Sequence, residues 1–251
     1  MQLRCHKIVV TGGASGIGLA IAKRLSAGGA HIVITGRHAD KLEAARAEIG
    51  PSCVGTLVWD IANASSARSQ LLHACEMLDG FDGLVNNAAV GGNQVTGRGY
   101  EPWDITPEEW DTMMNINLKG AFFAMREAVN LMLETHAKGN ILNLSSNAAC
   151  MDIIGSYGAA KLSMLRMTRA FGKHFGADGI IINGIAPGAT LTSMIARYAH
   201  SAGQPYPRHA IGRFIRPDEI AELAAYLMSD FGESICGHTV VADGGDREAT
   251  L

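Results

Sequence analysis

The N-terminal segment joins a short β-branched run, a glycine-rich turn and a helical pattern without a break. The run is Lys7-Ile8-Val9-Val10, the turn is Thr11-Gly12-Gly13-Ala14-Ser15-Gly16-Ile17-Gly18, and apolar residues then recur at helical spacing up to Gly28-Gly29. Glycines allow a tight turn and close approach of a ligand, and the start of a helix offers free N–H groups to an anion. The segment therefore predicts a phosphate-binding turn, although its spacing is Gly-x3-Gly-x-Gly and a glycine turn without a ligand is the alternative.

The remainder of the chain alternates between short strand patterns and helical stretches of ten to fifteen residues or more. This alternation predicts βαβ units and a parallel sheet whose carboxyl ends, and so the ligand site, lie at one edge. The chain of 251 residues shows no repeat or linker, so we expect one doubly wound α/β Rossmann domain over residues 1–251, with a mainly parallel seven-stranded sheet between helix layers. After the first run, strands are expected at Ala30–Thr35, Val54–Trp59, Gly83–Val85, Gly139–Ser146, Ile180–Ala186 and His238–Ala242.

Composition argues against several other functions. The net charge of −3 suggests neither a nucleic-acid surface nor an anionic membrane as partner, and the longest apolar runs are too short to span a bilayer. The N-terminal apolar run leads into the glycine turn, which favours a first strand over a secretory signal. The five cysteines are scattered and form no CxxC pair, and the histidines lack metal-ligand spacing, so we expect a cytoplasmic protein without a metal site.

The two residues that follow the second strand, Gly36 and Arg37, bear on the choice of cofactor. In dinucleotide sites an acid at this position binds the ribose 2′-hydroxyl, whereas an arginine accommodates a 2′-phosphate. This chain has Gly36 where the acid would lie, followed by Arg37. A guanidinium suits a phosphate in shape and charge, so the sequence predicts a preference for NADP(H), with NAD(H) as the alternative. A solvated arginine at a turn is the simpler interpretation of Arg37.

Two loop regions are candidates for the substrate side. The stretch Gly91–Thr106 is polar, rich in glycine and longer than a plain connection, and a helix is expected from Pro107 to about His136. The segment of about 190–216 is rich in Tyr, His, Arg and Gly and is a candidate lid. The residues that the lid and loops offer either meet a polar substrate or are simply solvated: Arg98, Tyr100, Trp103, Asp152, Tyr198, His200, Tyr206, Arg208 and His209.

A tyrosine and a lysine lie four residues apart in Tyr157-Gly158-Ala159-Ala160-Lys161. On a helix this spacing brings the hydroxyl of Tyr157 and the ammonium of Lys161 to one face. A lysine cation nearby favours the phenolate and lowers the tyrosine pKa, so that the tyrosine can exchange a proton with a carbonyl or an alcohol. In isolation, such a pair is usually only part of a solvated helix face.

With these motifs in place, the chain resembles the short-chain dehydrogenase/reductase family over essentially its whole length. The resemblance rests on seven motifs in the family's order: TGGASGIG, NNAA, NINLKG, NLSS, YGAAK, NGIAPGATLT and VVADGG. It is similar to reductases of 3-oxoacyl carriers and to related sugar, polyol and steroid enzymes. The implied activity interconverts a ketone and a secondary alcohol by NAD(P)(H)-dependent hydride transfer, in a homotetramer or dimer.

The resemblance also implies roles for individual residues. Tyr157 is the expected general acid or base, Lys161 lowers its pKa and holds the nicotinamide ribose, and Ser146 binds the substrate oxygen. Asn117 is expected to hold a water that links Lys161 to solvent. The implied cofactor-binding residues, besides Arg37, Tyr157 and Lys161, are Gly12, Ser15, Gly16, Ile17, Gly18, Asp60, Ile61, Asn87, Ala88, Pro187, Gly188, Thr190 and Thr192.

Two features depart from the family pattern. Ala89 stands where the family commonly has glycine, and the segment between Ser146 and Tyr157 is about two residues short. The shorter segment affects the expected shape of the pocket and the choice of Ser146 over Ser145, which follows from aligning NLSS by its second serine. A catalytically silent nucleotide sensor or scaffold on the same fold is the alternative function, because fold alone does not imply function.

Overall fold

Seven strands form one sheet in which every pair of neighbours is parallel, in the order β3-β2-β1-β4-β5-β6-β7. The structure, a computed structural model, describes residues 2–99, 102–151, 155–195, 201 and 204–249. The predicted α/β class and the seven-stranded sheet are confirmed. The strands are β1 Lys7–Thr11, β2 His31–Gly36, β3 Cys53–Val58, β4 Gly83–Asn86, β5 Gly139–Leu144, β6 Ile180–Pro187 and β7 Thr239–Ala242.

Helices cover both faces of this sheet because successive strand side chains point to opposite faces. In β1, Ile8 and Val10 pack with α1, α2 and α8, whereas Val9 packs with α3 and α6. None of the described helices has the length and apolar character needed to cross a membrane. The helices are α1 Gly16–Ala27, α2 Ala39–Ile49, α3 Ala67–Leu78, α4 Gly92–Thr96, α5 Pro107–Met114, α6 Ala121–Glu134, α7 Ser156–Phe175 and α8 Pro217–Leu227.

The long helix expected after Thr106 is present, but it changes its winding midway. Its start is capped on both sides, since the Thr106 hydroxyl accepts from the Glu109 N–H and the Glu109 carboxylate accepts from the Thr106 N–H. Between α5 and α6, residues Asn115–Gly120 form a π-helical segment. A Cβ on Gly120 would lie 2.2 Å from the carbonyl oxygen of Ile61, so this close approach requires glycine.

The stretch Gly91–Thr106, expected to be a loop, contains α4 and a 3-10 turn at Pro102–Asp104. The start of α4 is closed by Gln94, whose side-chain oxygen accepts from the Gly91 N–H at 2.8 Å. Residues 100 and 101 lie outside the described part. The polar composition of this stretch concealed a short helix whose termination at Gly97, with φ +66°, requires glycine.

The candidate lid is anchored at its base. The Leu191 N–H donates to the Ile215 carbonyl at 2.8 Å, and the Ile215 N–H donates to the Ala189 carbonyl at 3.1 Å. A 3-10 turn at Ser193–Ile195 follows the first of these contacts. The rest of the predicted lid between 196 and 203, apart from residue 201, lies outside the described residues.

Candidate active site

Two adjoining cavities lie along the carboxyl edge of the sheet, where the parallel fold was expected to bind a ligand. The turn cavity, of about 240 Å³, lies beside the glycine-rich turn and the ends of β2 and β3. The tyrosine cavity, of about 370 Å³, lies between the end of β5, the start of α7 and the segment after β6. Ala89 and Gln94 line both cavities, so the two spaces are neighbours.

The glycine turn has the shape of a cradle for a phosphate group. Gly12 and Gly16 have φ values of +65° and +55°, a region that favours glycine. A Cβ on Gly18 would lie 2.4 Å from both the Asn87 side-chain nitrogen and the Gly12 carbonyl oxygen. Ser15 precedes α1 without capping it through its hydroxyl, and it lines the turn cavity together with Gly12 and Ala14. The N–H groups of the first turn of α1 are therefore not used by this side chain. These residues fit the pyrophosphate of a dinucleotide.

Asn87 holds the turn against β4. Its side-chain nitrogen donates to the carbonyls of Thr11 and Gly12 at 2.9 and 3.1 Å, and its N–H donates to the Thr11 hydroxyl at 3.0 Å. The expected cofactor-side residue Asn87 is therefore also a structural tie. The neighbouring Ala88 lines the turn cavity, and its N–H shares the same hydroxyl at 3.1 Å.

The far end of the turn cavity is basic. Arg37 is exposed there, and His38 and Lys41 line the same space. Sequence reasoning singled out Arg37 but missed Lys41, which lies in the first turn of α2. Asp60 and the buried Ile61 line the same cavity, as expected for an adenine-side wall.

Tyr157 and Lys161 lie one turn apart in the first half of α7, and both line the tyrosine cavity. The Lys161 ammonium is 5.8 Å from the centre of the Tyr157 ring and donates to the Leu144 carbonyl at 2.9 Å. In return, the Ser145 hydroxyl donates to the Lys161 carbonyl at 2.8 Å. Lys161 thus joins α7 to the end of β5 twice, once through its side chain and once through its backbone carbonyl.

Burial dominates the acid–base properties of this pair. It lowers the pKa of Lys161 from 10.5 to about 8. Burial also raises the pKa of Tyr157, and the hydrogen bond from Ser146 opposes that rise without cancelling it. The expectation that Lys161 lowers the tyrosine pKa is therefore not met in the protein alone, because desolvation of the phenolate is the stronger effect.

The structure separates the two candidate serines. Ser145 is buried and uses its hydroxyl on Lys161. Ser146 caps the 3-10 turn Asn147–Cys150, with its oxygen accepting from the Ala148 N–H at 3.1 Å, and its hydroxyl lowers the pKa of Tyr157. Of the two serines, Ser146 is the one that acts on the tyrosine hydroxyl.

Asn117 lies in the π-helical segment and is not among the residues lining either cavity. Its side chain is buried, accepts from the Val90 N–H and donates to the Val90 carbonyl, both at 2.9 Å. The side chain is therefore engaged in holding the chain after β4. These bonds turn the amide toward Val90, and the expected role of Asn117 in holding a water that links Lys161 to solvent stays a prediction.

The segment after β6 closes the tyrosine cavity. Pro187, Gly188, Thr190 and Thr192 all line it, as does Ile17 of the glycine turn. The Thr190 hydroxyl donates to the Gly188 carbonyl at 2.9 Å. A Cβ on Gly16 would meet the Thr192 side chain at 3.2 Å, so this segment reaches across to the glycine turn.

Asn147, Arg208 and Asp246 also line the tyrosine cavity. Sequence reasoning named Arg208 as one of several candidates and missed Asn147 and Asp246. An acid directly after the terminal Gly-Gly pair was the available signal for Asp246. Among the described residues, no group of three or more His, Cys, Asp or Glu side chains is arranged to hold a metal ion.

The chain is similar to known proteins over nearly its whole length. The profile of a protein family described as enoyl-(acyl carrier protein) reductase matches residues 12–246. The chain is 33% identical to a 2,5-dichloro-2,5-cyclohexadiene-1,4-diol dehydrogenase of Sphingobium indicum, over 95% of each chain. It is 31% identical to levodione reductase of Leifsonia aquatica, over 96% of this chain and 94% of the relative.

Solved structures of similar proteins share the whole fold. A putative short-chain alcohol dehydrogenase of Sinorhizobium meliloti superposes with a TM-score of 0.87 at 33% identity, covering 97% of each chain. A 3-ketoacyl-(acyl-carrier-protein) reductase of Brucella melitensis complexed with NADH gives 0.84 at 27% identity, over 95% of this chain and 96% of that one. An actinorhodin polyketide ketoreductase solved with NADPH gives 0.85 at 25% identity, over 98% of each chain.

Proposed function

The chain belongs to the short-chain dehydrogenase/reductase family, and from that membership we propose that it interconverts a ketone and a secondary alcohol, with Tyr157 as general acid or base. The observation that carries the proposal is the meeting of Tyr157, Lys161 and Ser146 in one cavity that adjoins the glycine turn. A protein that only binds a nucleotide has no need for a buried tyrosine–lysine pair. The alternative function, a catalytically silent sensor or scaffold, would need only the turn cavity.

Each of these side chains has a defined task in the proposed reaction. Ser146 binds the substrate oxygen and aligns the Tyr157 hydroxyl, which donates a proton to that oxygen in reduction and removes it in oxidation. Lys161, fixed by Leu144, supplies positive charge beside the phenol and holds the ribose next to it. The nicotinamide cofactor, when bound, supplies or accepts the hydride. Because its side-chain amide is bonded to Val90, Asn117 would take part in proton supply through its backbone.

We assign the cofactor to the two cavities in sequence. Gly12, Ser15, Gly16, Ile17 and Gly18 would hold the pyrophosphate. Arg37, assisted by His38 and Lys41, would bind a 2′-phosphate, which favours NADP(H) over NAD(H). Related structures contain NADH in one case and NADPH in another, so this preference rests on the basic end of the turn cavity. The remaining proposed contacts are Asp60, Ile61, Asn87, Ala88, Pro187, Gly188, Thr190 and Thr192.

The named activities of the relatives cover several substrate classes. Relatives at 31–33% identity include a ring diol dehydrogenase, levodione reductase, a probable 2,4-dienoyl-CoA reductase and a 2-(S)-hydroxypropyl-CoM dehydrogenase, whereas a 3-oxoacyl carrier reductase is 27% identical. We choose a small cyclic ketone or alcohol as the first class to examine, followed by 3-oxoacyl, sugar or polyol and steroid compounds. The segment 190–216 is proposed to cover the substrate within a single domain.

The proposal extends to assembly and cellular location. Leu162 on α7 and Trp110 on α5 are 44% and 40% exposed, which suits helices that pair between subunits of a homotetramer or dimer. The cysteines are free, as in a reducing cytoplasm. Light scattering at micromolar concentration tests the assembly, and a monomer would contradict it.

Cofactor binding and turnover test the central proposal separately. Titration with NADPH and NADH, followed by nicotinamide fluorescence, should show tighter binding of NADPH. Turnover of cyclic ketones should then be lost in Tyr157→Phe, by a factor of about 10²–10⁴, while NADPH affinity is retained. Binding without turnover across a broad panel of carbonyl compounds would favour the sensor, and full activity of the variant would remove Tyr157 from its role.

A further inference from the structure

A polar cluster in the wall of the tyrosine cavity has no part in the proton transfer described above. It consists of Arg208, Asp246, Glu248 and Asn147, and we call it the Arg208 cluster. Asp246 is its centre, with a side chain that is only 2% exposed. Three of the four residues, Arg208, Asp246 and Asn147, line the cavity that contains Tyr157 and Ser146.

Asp246 is an anchor rather than a proton acceptor. Its two oxygens accept from the Arg208 Nε at 2.8 and 3.0 Å, from the Asn147 side-chain nitrogen at 2.8 Å and from the Glu248 N–H at 3.1 Å. Burial raises its pKa, but these bonds, led by the one from Arg208, bring the pKa below its usual range. The carboxylate therefore stays charged at neutral pH and fixes the direction of the guanidinium.

Among the described residues, one edge of the Arg208 guanidinium has only a weak hydrogen-bond partner. Its Nη1 pairs with the exposed Glu248 at 2.8 Å, and its Nε is used by Asp246. Within the part of the chain that the structure describes, Nη2 donates to the thioether sulfur of Met151 at 3.1 Å. A thioether is a weak acceptor, and Met151 itself lines the cavity. An oxygen of a bound molecule would be a better partner for this edge.

The charges of the cluster indicate which oxygen it prefers. The single positive charge of Arg208 is surrounded by two carboxylates, Asp246 and Glu248, so the cluster carries a net negative charge. Among the described residues that line the cavity, the other cation is Lys161, which donates to the Leu144 carbonyl. These described groups offer no surplus positive charge to an incoming carboxylate or phosphate, whereas a hydroxyl or carbonyl oxygen gains a charge-assisted hydrogen bond without repulsion from the carboxylates.

We infer that Arg208 is a specificity-determining residue that binds, through Nη2, a second and uncharged oxygen of the substrate while Ser146 and Tyr157 bind the reacting one. The inference rests on the proposed function for the identity of the reacting oxygen. The substrate class is thus a small molecule with two oxygen functions, such as a dione, a hydroxyketone or a diol. Asp246 and Asn147 are positioning residues that hold Arg208 in place.

The test compares cyclohexanone with the cyclohexanedione that carries its two carbonyls at opposite ring positions. For each, kcat/KM is measured with NADPH, and affinity is measured by calorimetry in the presence of NADP+, where reduction does not occur. The wild type should prefer the dione, and Arg208→Met should reduce that preference by about tenfold or more, since a bond from a charged donor is lost. Arg208→Lys should reduce it less, and it serves as the second variant if Arg208→Met does not fold.

Arg24→Met is the matched control. Arg24 is 28% exposed, close to the 32% of Arg208, and is paired with Glu222 on α8, away from the tyrosine cavity. Its preference for the dione should equal that of the wild type. An unchanged preference in both Arg208 variants would overturn the inference. Tighter binding of 4-oxocyclohexanecarboxylate, in which a carboxylate replaces the second carbonyl of the dione, than of the dione itself would overturn it as well.

The two measurements separate this inference from the proposed function. If neither ketone is reduced but calorimetry shows a preference for the dione that depends on Arg208, the recognition role stands and the oxidoreductase function fails. If both ketones are reduced equally well by the wild type and the Arg208 variants, the function stands and the recognition role fails.

Discussion

The two cavities at the carboxyl edge of the sheet are built on opposite principles. The glycine turn beside the turn cavity depends on side chains that are missing, because a Cβ on Gly12, Gly16 or Gly18 would press against neighbouring residues. The tyrosine cavity is shaped by what is present, because Tyr157 and Lys161 are functional groups held in place by hydrogen bonds. Substitutions that add atoms should therefore impair binding at the turn cavity, and substitutions that remove atoms should impair the chemistry of the tyrosine cavity.

Of the four changes that test this contrast, removing the Ser146 hydroxyl from the tyrosine cavity should have the largest effect. Ser146→Ala should lower turnover by about 10²–10³-fold, the usual cost of losing one donor to a developing oxyanion, with unchanged NADPH affinity. Ser145→Ala is the matched control, since it loses the bond to the Lys161 carbonyl and should cost about 1 kcal/mol of stability with less than about a tenfold loss of turnover. Steady-state kinetics and urea unfolding measure both, and equal losses of turnover would contradict the separation of the two serines.

The charge on Lys161 should appear as a pH dependence of stability. Its pKa is about 8 in the folded protein and 10.5 when unperturbed, so between these values the unfolded chain binds more protons and stability rises with pH. The gap corresponds to at most about 3 kcal/mol. Urea unfolding from pH 7 to 10 should show this rise in the wild type and not in Lys161→Met. Parallel curves of stability against pH for the two proteins would show that folding does not lower the pKa of Lys161.

Adding one carbon to the turn cavity tests the opposite principle. In Gly18→Ala the new Cβ would overlap the Asn87 amide and the Gly12 carbonyl, which should cost about 1–3 kcal/mol of stability and weaken NADPH binding. Gly99→Ala is the control, because no atom lies within 4 Å of its Cβ position, and its stability should change by less than about 0.5 kcal/mol. Thermal unfolding and fluorescence titration measure both effects. NADPH affinity that survives Gly18→Ala would separate the turn from cofactor binding.

The smallest effect concerns the exposed, basic end of the turn cavity, where solvent weakens each interaction. Arg37→Asp should shift the ratio of NADPH to NADH affinity by about tenfold toward NADH, because a charge-assisted bond is replaced by repulsion. Arg46 lies on α2, the helix that follows Arg37, and is not part of the cavity wall, so Arg46→Asp should leave the ratio unchanged. An unchanged ratio in Arg37→Asp would leave the basic end without a role in cofactor choice.

The same contrast explains how far sequence reasoning reached. The strands, the glycine turn and the Tyr157–Lys161 pair are local patterns, because each depends on neighbours within one element. Asp246 meets Asn147 from 99 residues away, and no local pattern encodes that contact. The bonds that turn Asn117 toward Val90, and the burial that raises the pKa of Tyr157, also depend on packing between distant segments.

The strand order also has a consequence for synthesis on the ribosome. As the chain emerges, β2 adds beside β1 and β3 beside β2, after which β4, β5, β6 and β7 extend the other side one by one. Every strand joins an existing edge, so no strand has to be inserted between two that are already paired. The glycine turn is thus complete early, whereas a chain interrupted anywhere before Asp246 still lacks part of the wall around Tyr157.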